Sequence, residues 1–528
     1  MAHVVTQSCC NDATCVSVCP VNCIHPAPDE PGYGTAEMLH IDPATCIDCG
    51  ACVDVCPVDA IKAGYELTPE TVRYREINAR YFSDPRHRDY APEPVDRARA
   101  GVAARLRVAI VGSGPSACYA AEDLLTRGAE VTMVERLLTP WGLVRFGVAP
   151  DHPHTKQVTR LFTRTAARER LTLHLGVEVG KDITHEELLA HHHGVIYAVG
   201  AAGDRKLGVA GEDLAGCHSA TGFVAWYNGH PDFRHARFDL SGRRAVVVGN
   251  GNVALDVARI LVSDVDTLAR TDIADHALEA LAGSGIEEVV VLGRRGPEQA
   301  AYTTPELLAL GDLSDVDIVA EGPLEGSGLK VEIVRELASR PRRGKRRIVL
   351  RYLASLVEIF GEGRVTGIRL GRNELTGSGA ARDTGEREVL DCELVLTSIG
   401  YRADPLPGLP FDHARAILPT ESGRVVGAPG VYATGWIKRG PSGVIGTNRK
   451  CAEDTVSSLL RDFESESLPE PAADAFDALI RARRPDAIGF SGWKAIDRLE
   501  RGSAPDRPRR KLVDPAEQLA AARAGDLR

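Results

Sequence analysis

The chain has 528 residues, which at roughly 150 residues per domain predicts three to four domains. Hydrophobic residues make up 44% and charged residues 26%, the proportions of a globular protein that buries a large core without needing disulfides. The net charge of -10 excludes a generally basic nucleic-acid binder. No stretch has the roughly 18 apolar residues of a membrane span, and MAHVVTQSCC lacks the layout of a signal peptide. A cytoplasmic location is therefore expected.

Composition is uneven along the chain. Nine of the 13 cysteines lie between Cys9 and Cys56, and residues 1–65 carry eight acidic side chains against the single Lys62. Within this segment Cys19-Pro20-Val21-Asn22-Cys23-Ile24 is echoed 37 positions later by Cys56-Pro57-Val58-Asp59-Ala60-Ile61, which predicts a duplicated half-unit. Cys46-x2-Cys49-x2-Cys52-x3-Cys56-Pro57 is the spacing by which thiolates wrap an iron–sulfur cube, the fourth crossing to a second cluster. A zinc site usually takes two separated cysteine pairs instead.

The first copy reads Cys9-x2-Asp12-x2-Cys15-x3-Cys19, with an aspartate in place of the middle cysteine. A carboxylate is a harder and weaker ligand for this iron than a thiolate, so that corner is expected to be labile. Crossing the fourth cysteines assigns Cys9, Cys15 and Cys56, with or without Asp12, to cluster I. That cluster is either [3Fe-4S] or an Asp-ligated [4Fe-4S]. Cys19, Cys46, Cys49 and Cys52 take cluster II, a [4Fe-4S]. Cys10 could compete at the open corner, and Cys23 reads as a buried spectator.

Residues 66–105 are rich in Pro, Arg and acids and read as a linker, although TVRYREINARYF is apolar enough to pack on something. As a flexible coil such a segment spans on the order of 35 Å, enough for one domain to dock on another and release it.

From Leu106 the pattern becomes strand, glycine turn, helix. RVAIV leads into Gly112-Ser113-Gly114-Pro115-Ser116-Ala117, and Glu135 ends the next strand. The glycines permit the turn and the approach of a pyrophosphate, Ala117 lets helix pack on sheet, and the acid is placed for a ribose hydroxyl. A second fingerprint, Gly249-Asn250-Gly251-Asn252-Val253-Ala254, follows another strand. Here the next strand ends in Arg294-Arg295, a pair that favours a 2′-phosphate and thus NADP over NAD. About 40 residues separate fingerprint and arginines where ~20 is usual, so Asp264–Gly285 is expected to be a helical excursion. Two such folds imply two nucleotides, FAD on the first and NADPH on the second, with the flavin able to hand single electrons to clusters. Every CxxC lies in the cluster run, which disfavours a disulfide reductase.

Thr139-Pro140-Trp141-Gly142-Leu143-Val144-Arg145-Phe146-Gly147-Val148-Ala149-Pro150-Asp151-His152 and Gly435-Trp436-Ile437-Lys438-Arg439-Gly440-Pro441-Ser442-Gly443-Val444-Ile445-Gly446-Thr447-Asn448 resemble the signatures of adrenodoxin-reductase-like ferredoxin–NADP reductases. With the cysteine module, the whole chain resembles the bacterial fused ferredoxin/ferredoxin–NADP reductases. The resemblance implies that Glu135 and Leu143 contact the FAD adenosine and pyrophosphate and Val179 its adenine side. It places Gly435, Trp436, Gly443, Val444 and Ile445 at the flavin end, with Gly443 also near the nicotinamide. Asn250, Gly251, Asn252, Val253, Arg294, Arg295 and Glu306 would hold NADP. His152 would sit near the isoalloxazine ring, or else be a hydrogen-bonded structural histidine. An acid often found near the nicotinamide in relatives is replaced here by Ala309.

The expected organisation is a small α+β ferredoxin domain (1–65), a linker (66–105), and an α/β body of two Rossmann-like domains. These are a FAD domain in two segments (106–242 and 395–465) around an NADP domain (243–394), followed by a helical extension (466–528). Of the basic stretches, Arg342–Arg347 is a candidate landing surface for the acidic module or a separate ferredoxin; Arg481–Arg484 and Arg507–Lys511 read as solvated loops. The function expected is NADPH-dependent reduction, through FAD and the clusters, of a ferredoxin or cytochrome P450. The alternatives are an electron-input unit of a larger reductase or synthase, and a non-catalytic iron–sulfur redox sensor.

Overall fold

The structure is a computed structural model that describes residues 2–87, 90, 103–342, 344–472 and 475–526. Arg343 of the basic stretch and residues 88–89 and 91–102 of the expected linker lie outside the described residues.

The N-terminal module has the expected duplication, visible in its backbone. Strand His3–Val5 pairs antiparallel with Ile61–Ala63, and Ile24–His25 with His40–Ile41. Two five-residue helices, Thr14–Val18 and Ala51–Val55, each end at a Cys-Pro. Left-handed residues recur at the same 37-residue spacing: Asn11 and Asp48, Ala13 and Gly50, Asn22 and Asp59. Asn, Asp and Gly tolerate this region; Ala13 is the member of the set that does so at a steric cost.

The module does not stop at residue 65. Helix Tyr74–Tyr81 lies on the first sheet pair, and the buried Asn78 side chain accepts from the Val5 and Ile41 amides and donates to the Val5 carbonyl. Tyr74, Ile77 and Phe82 are buried. The apolar beginning of the expected linker is therefore part of the module's core.

The first body sheet has seven strands, in the order Thr420–Glu421, Arg424–Val425, Val431–Ala433, Gly194–Tyr197, Arg107–Val111, Glu130–Glu135, Leu171–Leu175. Its central pairings are parallel. The buried strands are nearly continuous Val, Ile, Ala and Leu, as parallel strands covered on both faces require. The second sheet is parallel throughout: Cys217–Ser219, Leu394–Thr397, Arg244–Val248, Glu288–Gly293, Arg346–Tyr352, Val316–Glu321. It begins at Cys217, so the segment before residue 243 already belongs to it, with Phe223, Trp226 and Tyr227 in its core. A three-stranded antiparallel sheet, Ala354–Phe360, Gly367–Leu375 and Ala381–Asp391, covers one face. The two crossings between the bodies pair as a short strip, Gly203–Asp204 with Tyr401–Arg402.

The helical extension is packed, not loose. Trp493, Ile496, Ala521 and Ala522 join the core of the first body. Arg145 and Glu500 form a doubly hydrogen-bonded pair at 2.5 and 3.0 Å, with side chains 4% and 0% exposed. The basic run Arg507–Lys511, expected to be solvated, is engaged here. Arg509 binds Glu500 and Asp497, and the buried Lys511 ammonium lies 3.2 Å from Asp272. A run of like charges reads as surface; partners on the preceding helix, Asp497 and Glu500, and from far earlier in the chain, Asp272, are what permit its burial.

Candidate functional site

The cysteines converge into two hollows, and the sorting follows the crossed assignment. One hollow is lined by Cys19, Cys46, Cys49 and Cys52. The other is lined by Cys9, Asp12, Cys15 and Cys56. Cys23 lines the first, 3.4 Å from the Cys19 sulfur, and the buried Cys10 lines the second. Backbone amides aim at the sulfurs: Ala60 at Cys56, 3.3 Å, Leu39 at Cys9, 3.5 Å, and Cys23 at Cys19, 3.4 Å. Amide–sulfur bonds of this kind favour the charged ligand and tune a cluster's potential. Burial pushes the Cys9 thiol up to about 12 and Cys52 to about 11, so a cationic iron core is what would hold such groups as thiolates. The donor set therefore fits iron–sulfur clusters. The Asp12 carboxylate faces the second hollow while accepting from the Thr14 hydroxyl and, at 3.3 Å, its amide.

The first nucleotide fold draws on distant segments. Gly112 has φ +99°, and a Cβ there would lie 2.7 Å from the Ala198 carbonyl, so glycine is required. Gly114 faces open space and precedes helix Pro115–Thr126, where Pro115 occupies the first turn and Ala117 is fully buried. Glu135 stands at its strand's end and accepts from the Ser113 amide, 3.0 Å, and hydroxyl, 2.7 Å. Leu143 opens a short helix behind Gly142, which crosses close over Gly114. From the second segment, Gly435 packs on Ser116, and the Ser116 and Thr434 hydroxyls are 2.9 Å apart. Trp436 donates to the Ser442 carbonyl at 3.1 Å. The turn Gly443-Val444-Ile445 is fastened by Thr447, whose hydroxyl accepts from the Val444 amide. Val179 lies apart from these, bridged to Ile183.

The second fold repeats the plan. Gly249, φ +117°, abuts the Ser398 carbonyl, and Gly251 caps helix Asn252–Val262 with open space before it. The Asn250 carbonyl accepts from Tyr302, and the Asn252 side chain from the Thr303 amide at 2.7 Å; Val253 is half-buried beside them. Arg294 and Arg295 follow directly on strand Glu288–Gly293. Arg294 is exposed and, among the described residues, has no ion pair; Arg295 donates to the Gln299 carbonyl. The excursion between fingerprint and arginines contains helices Val265–Leu268 and Asp275–Ala282, as expected.

Glu306 does not join the arginines. With Asp256 it faces His152: each carboxylate is 3.3 Å from His152 Nε2, and Arg259 lies 2.6 Å from the same nitrogen. Arg259 also binds Asp151 and Asp256. The guanidinium occupies the cation position among these acids, which explains their clustering without a metal. Burial pulls the imidazole pKa down, but the Glu306 and Asp256 carboxylates outweigh it and raise it from 6.5 to about 10. With the ring protonated, Nε2–H donates to the carboxylates. The approach of Arg259 becomes a hydrogen bond only once that proton has left. Ala309 is buried in helix Thr304–Ala309. Asp256 and Arg259 were not singled out in the sequence, although their spacing on one face of the fingerprint helix was there to be seen.

The module rests on both bodies. The Gly446 amide donates to the Cys10 carbonyl at 2.6 Å. Arg449 donates to the Asp12 carbonyl, 2.9 Å, and the Thr14 hydroxyl, 2.8 Å. On the other body Glu37 accepts from the Thr304 amide, 2.7 Å, and pairs with Lys330, 2.8 Å. Arg73 and Arg80 meet Glu336 and Glu332. Within the expected landing stretch, Arg346 binds the Val262 and Ser263 carbonyls and Arg347 binds Glu288.

Two glycine-turn nucleotide folds joined to a cysteine module define a pyridine-nucleotide oxidoreductase of iron–sulfur type. The family models agree: residues 39–62 match a 4Fe-4S binding domain, and residues 106–295 match a pyridine nucleotide-disulphide oxidoreductase. The chain is 51% identical, over 99% of its length and 95% of the relative's, to a probable ferredoxin/ferredoxin--NADP reductase of Mycobacterium tuberculosis. It is 43% identical, over 79% of its length and 91% of the relative's, to a mitochondrial NADPH:adrenodoxin oxidoreductase of Salvelinus fontinalis. The solved structure of Mycobacterium tuberculosis FprA in complex with NADPH superposes with a TM-score of 0.77 at 48% identity, covering 79% of this chain and 99% of that one. The chain belongs to the ferredoxin/ferredoxin–NADP reductase family and is an oxidoreductase of NADPH-dependent electron transfer to ferredoxin-type acceptors. Among the described residues, no helix is long and apolar enough to cross a membrane.

Proposed function

We propose that the chain carries electrons from NADPH, through a FAD on the first nucleotide fold, to two iron–sulfur clusters of its own module and on to a separate ferredoxin or a cytochrome P450. The observation that carries this reading is the contact of the cysteine module with Gly446, just after the Gly443-Val444-Ile445 turn assigned to the flavin, which puts a cluster ligand set beside that turn. Bound flavin accepts a hydride and returns electrons singly, the form in which clusters take them.

In this reading Gly112, Gly114, Pro115, Ser116 and Ala117 bring a helix N-terminus to the FAD pyrophosphate. Glu135 exchanges its Ser113 bonds for a ribose hydroxyl. Leu143, Val179, Gly435, Trp436 and the 443–445 turn wall the FAD. Asn250, Gly251, Asn252 and Val253 receive the NADP pyrophosphate, and the exposed Arg294 with Arg295 clasps the 2′-phosphate. Glu306 acts through His152 and Arg259. Those three, with Asp256, hold the seam between the two bodies where the nicotinamide must meet the flavin. Cys9, Cys15 and Cys56 hold cluster I, a [3Fe-4S] or Asp12-ligated [4Fe-4S]; Cys19, Cys46, Cys49 and Cys52 hold cluster II, a [4Fe-4S]. A reducing, cytoplasmic setting, in which cluster-ligating thiols stay unoxidised, belongs to the same reading.

An anaerobic titration with NADPH tests the whole reading. After each rapid addition, flavin absorbance must change before cluster absorbance does. Flavin bleaching with no cluster reduction at any potential the nucleotide reaches would refute the onward path.

A further inference from the structure

The docked module has a polarity. The chain's two ligand sets do not stand in equivalent relation to the body: one adjoins it and the other faces away. Cys9, Cys10 and Cys56 pack in the same apolar core as Ile445 and the first-fold helix. The Cys10 carbonyl and the Asp12 backbone take hydrogen bonds from Gly446 and Arg449. Cys49, of the other set, is exposed, and its neighbour Ile47 is 59% exposed.

Gly446 marks how close this approach is. Its φ of -69° is ordinary right-handed backbone, open to any residue. Yet a Cβ there would lie 1.9 Å from the Asn11 carbonyl carbon and 2.3 Å from the Asp12 amide nitrogen. Glycine is needed at this position because the module sits there, not because the turn demands it.

We propose, resting on the function above, that cluster I is the sole entry point for electrons from the flavin and cluster II the exit, where an acceptor meets the exposed rim around Cys49 and Ile47. The acidity of residues 1–65 fits an acceptor with a positive rim. Electrons balance over one turnover. NADPH loses a hydride and becomes NADP+; its two electrons pass one at a time through cluster I and then cluster II. Two acceptor molecules each gain one electron, and one proton is released to water.

Two substitutions in the full-length, cluster-loaded protein separate entry from exit. Gly446→Ala pushes the module off its seat without straining the turn. NADPH should bleach the flavin at the unchanged rate, while cluster reduction slows at least tenfold. Small-angle scattering should show a more extended particle, a readout independent of turnover. Ile47→Lys leaves that seat intact. Cluster reduction should be unchanged, while transfer to basic cytochrome c, the acceptor probe, slows several-fold. Rapid freeze-quench paramagnetic resonance after mixing with NADPH should show cluster I changing before cluster II. Should the Gly446 variant lose flavin, Arg449→Gln, which removes the Asp12 and Thr14 contacts, replaces it with the same expectations. Cluster II changing first, or the two substitutions showing the opposite pattern, overturns the polarity while leaving NADPH oxidation, and so the general function, intact.

Discussion

Arg145 and Glu500 stand 355 residues apart in sequence and meet through two hydrogen bonds in full burial. Arg145 belongs to the Trp141–Phe146 segment that crosses the first fingerprint, and Glu500 to helix Phe490–Gly502 of the extension. Removing one member of a buried pair strands the other, at a cost of about 3–5 kcal/mol. Glu500 also serves Arg509 and the Leu512 amide. Glu500→Ala is expected to destabilise the protein by at least that range, and Glu500→Gln by less. Denaturant unfolding followed by flavin release and tryptophan fluorescence checks both; equal and negligible effects would show that the extension is dispensable.

The His152 cluster gives a pH signature. A folded-state pKa of about 10, raised above the ordinary 6.5, means that the folded protein holds a proton the unfolded chain has lost. This contribution to stability is complete below pH 6.5 and disappears as pH rises through 10. Stability should therefore fall across that window, and His152→Gln should flatten the fall. The measurement is unfolding free energy against pH for both proteins; parallel curves would reject the protonated imidazole.

Arg294 and Arg295 are expected to select the coenzyme. Charge-assisted hydrogen bonds contribute ~1.5–3 kcal/mol, which at 1.4 kcal/mol per decade is roughly a tenfold to hundredfold change in affinity. Arg294→Gln with Arg295→Gln should raise the KM for NADPH by about that factor and leave the KM for NADH nearly unchanged. Steady-state kinetics with an artificial dye acceptor reads this without the module.

Asp12 is expected to govern iron content at cluster I. Asp12→Cys restores a fourth thiolate and should convert an oxidised three-iron signal into a full four-iron cluster. Iron-to-protein ratio and low-temperature paramagnetic resonance decide it. An unchanged spectrum would mean that Asp12, held by Thr14, takes no part.

Local signals in the sequence anticipate the local structure well. The cysteine spacings sort into their two hollows because ligand geometry is set within a few residues of each thiolate. Both fingerprints lie where a strand turns into a helix, since Gly112 and Gly249 answer contacts that no side chain tolerates. What the chain order hides is partnership at a distance. Arg507–Lys511 looks like surface until Asp272 and Asp275, at least 232 residues earlier, are seen against it. Helix Tyr74–Tyr81 passes for linker because its flanks are charged; only Asn78, satisfied by three backbone groups of the module, shows where it belongs. The contact of Glu306 with His152 and Arg259 is hidden for the same reason, because its face of helix Thr304–Ala309 is fixed by packing and not by the motif around it.

The strip in which Gly203–Asp204 pairs with Tyr401–Arg402 is where the chain crosses between the two bodies. Any rotation of one body against the other must bend there. The module grips Gly446 and Arg449 on one side of that crossing and Thr304 and Lys330 on the other. It is thus a strut across a hinge: the cleft between the bodies cannot widen while both ends hold. Since the pyridine-nucleotide end leans on partly exposed ion pairs beside the Thr304 bond and the Gly446 end is a close-packed seat, added salt is expected to loosen the former before the latter.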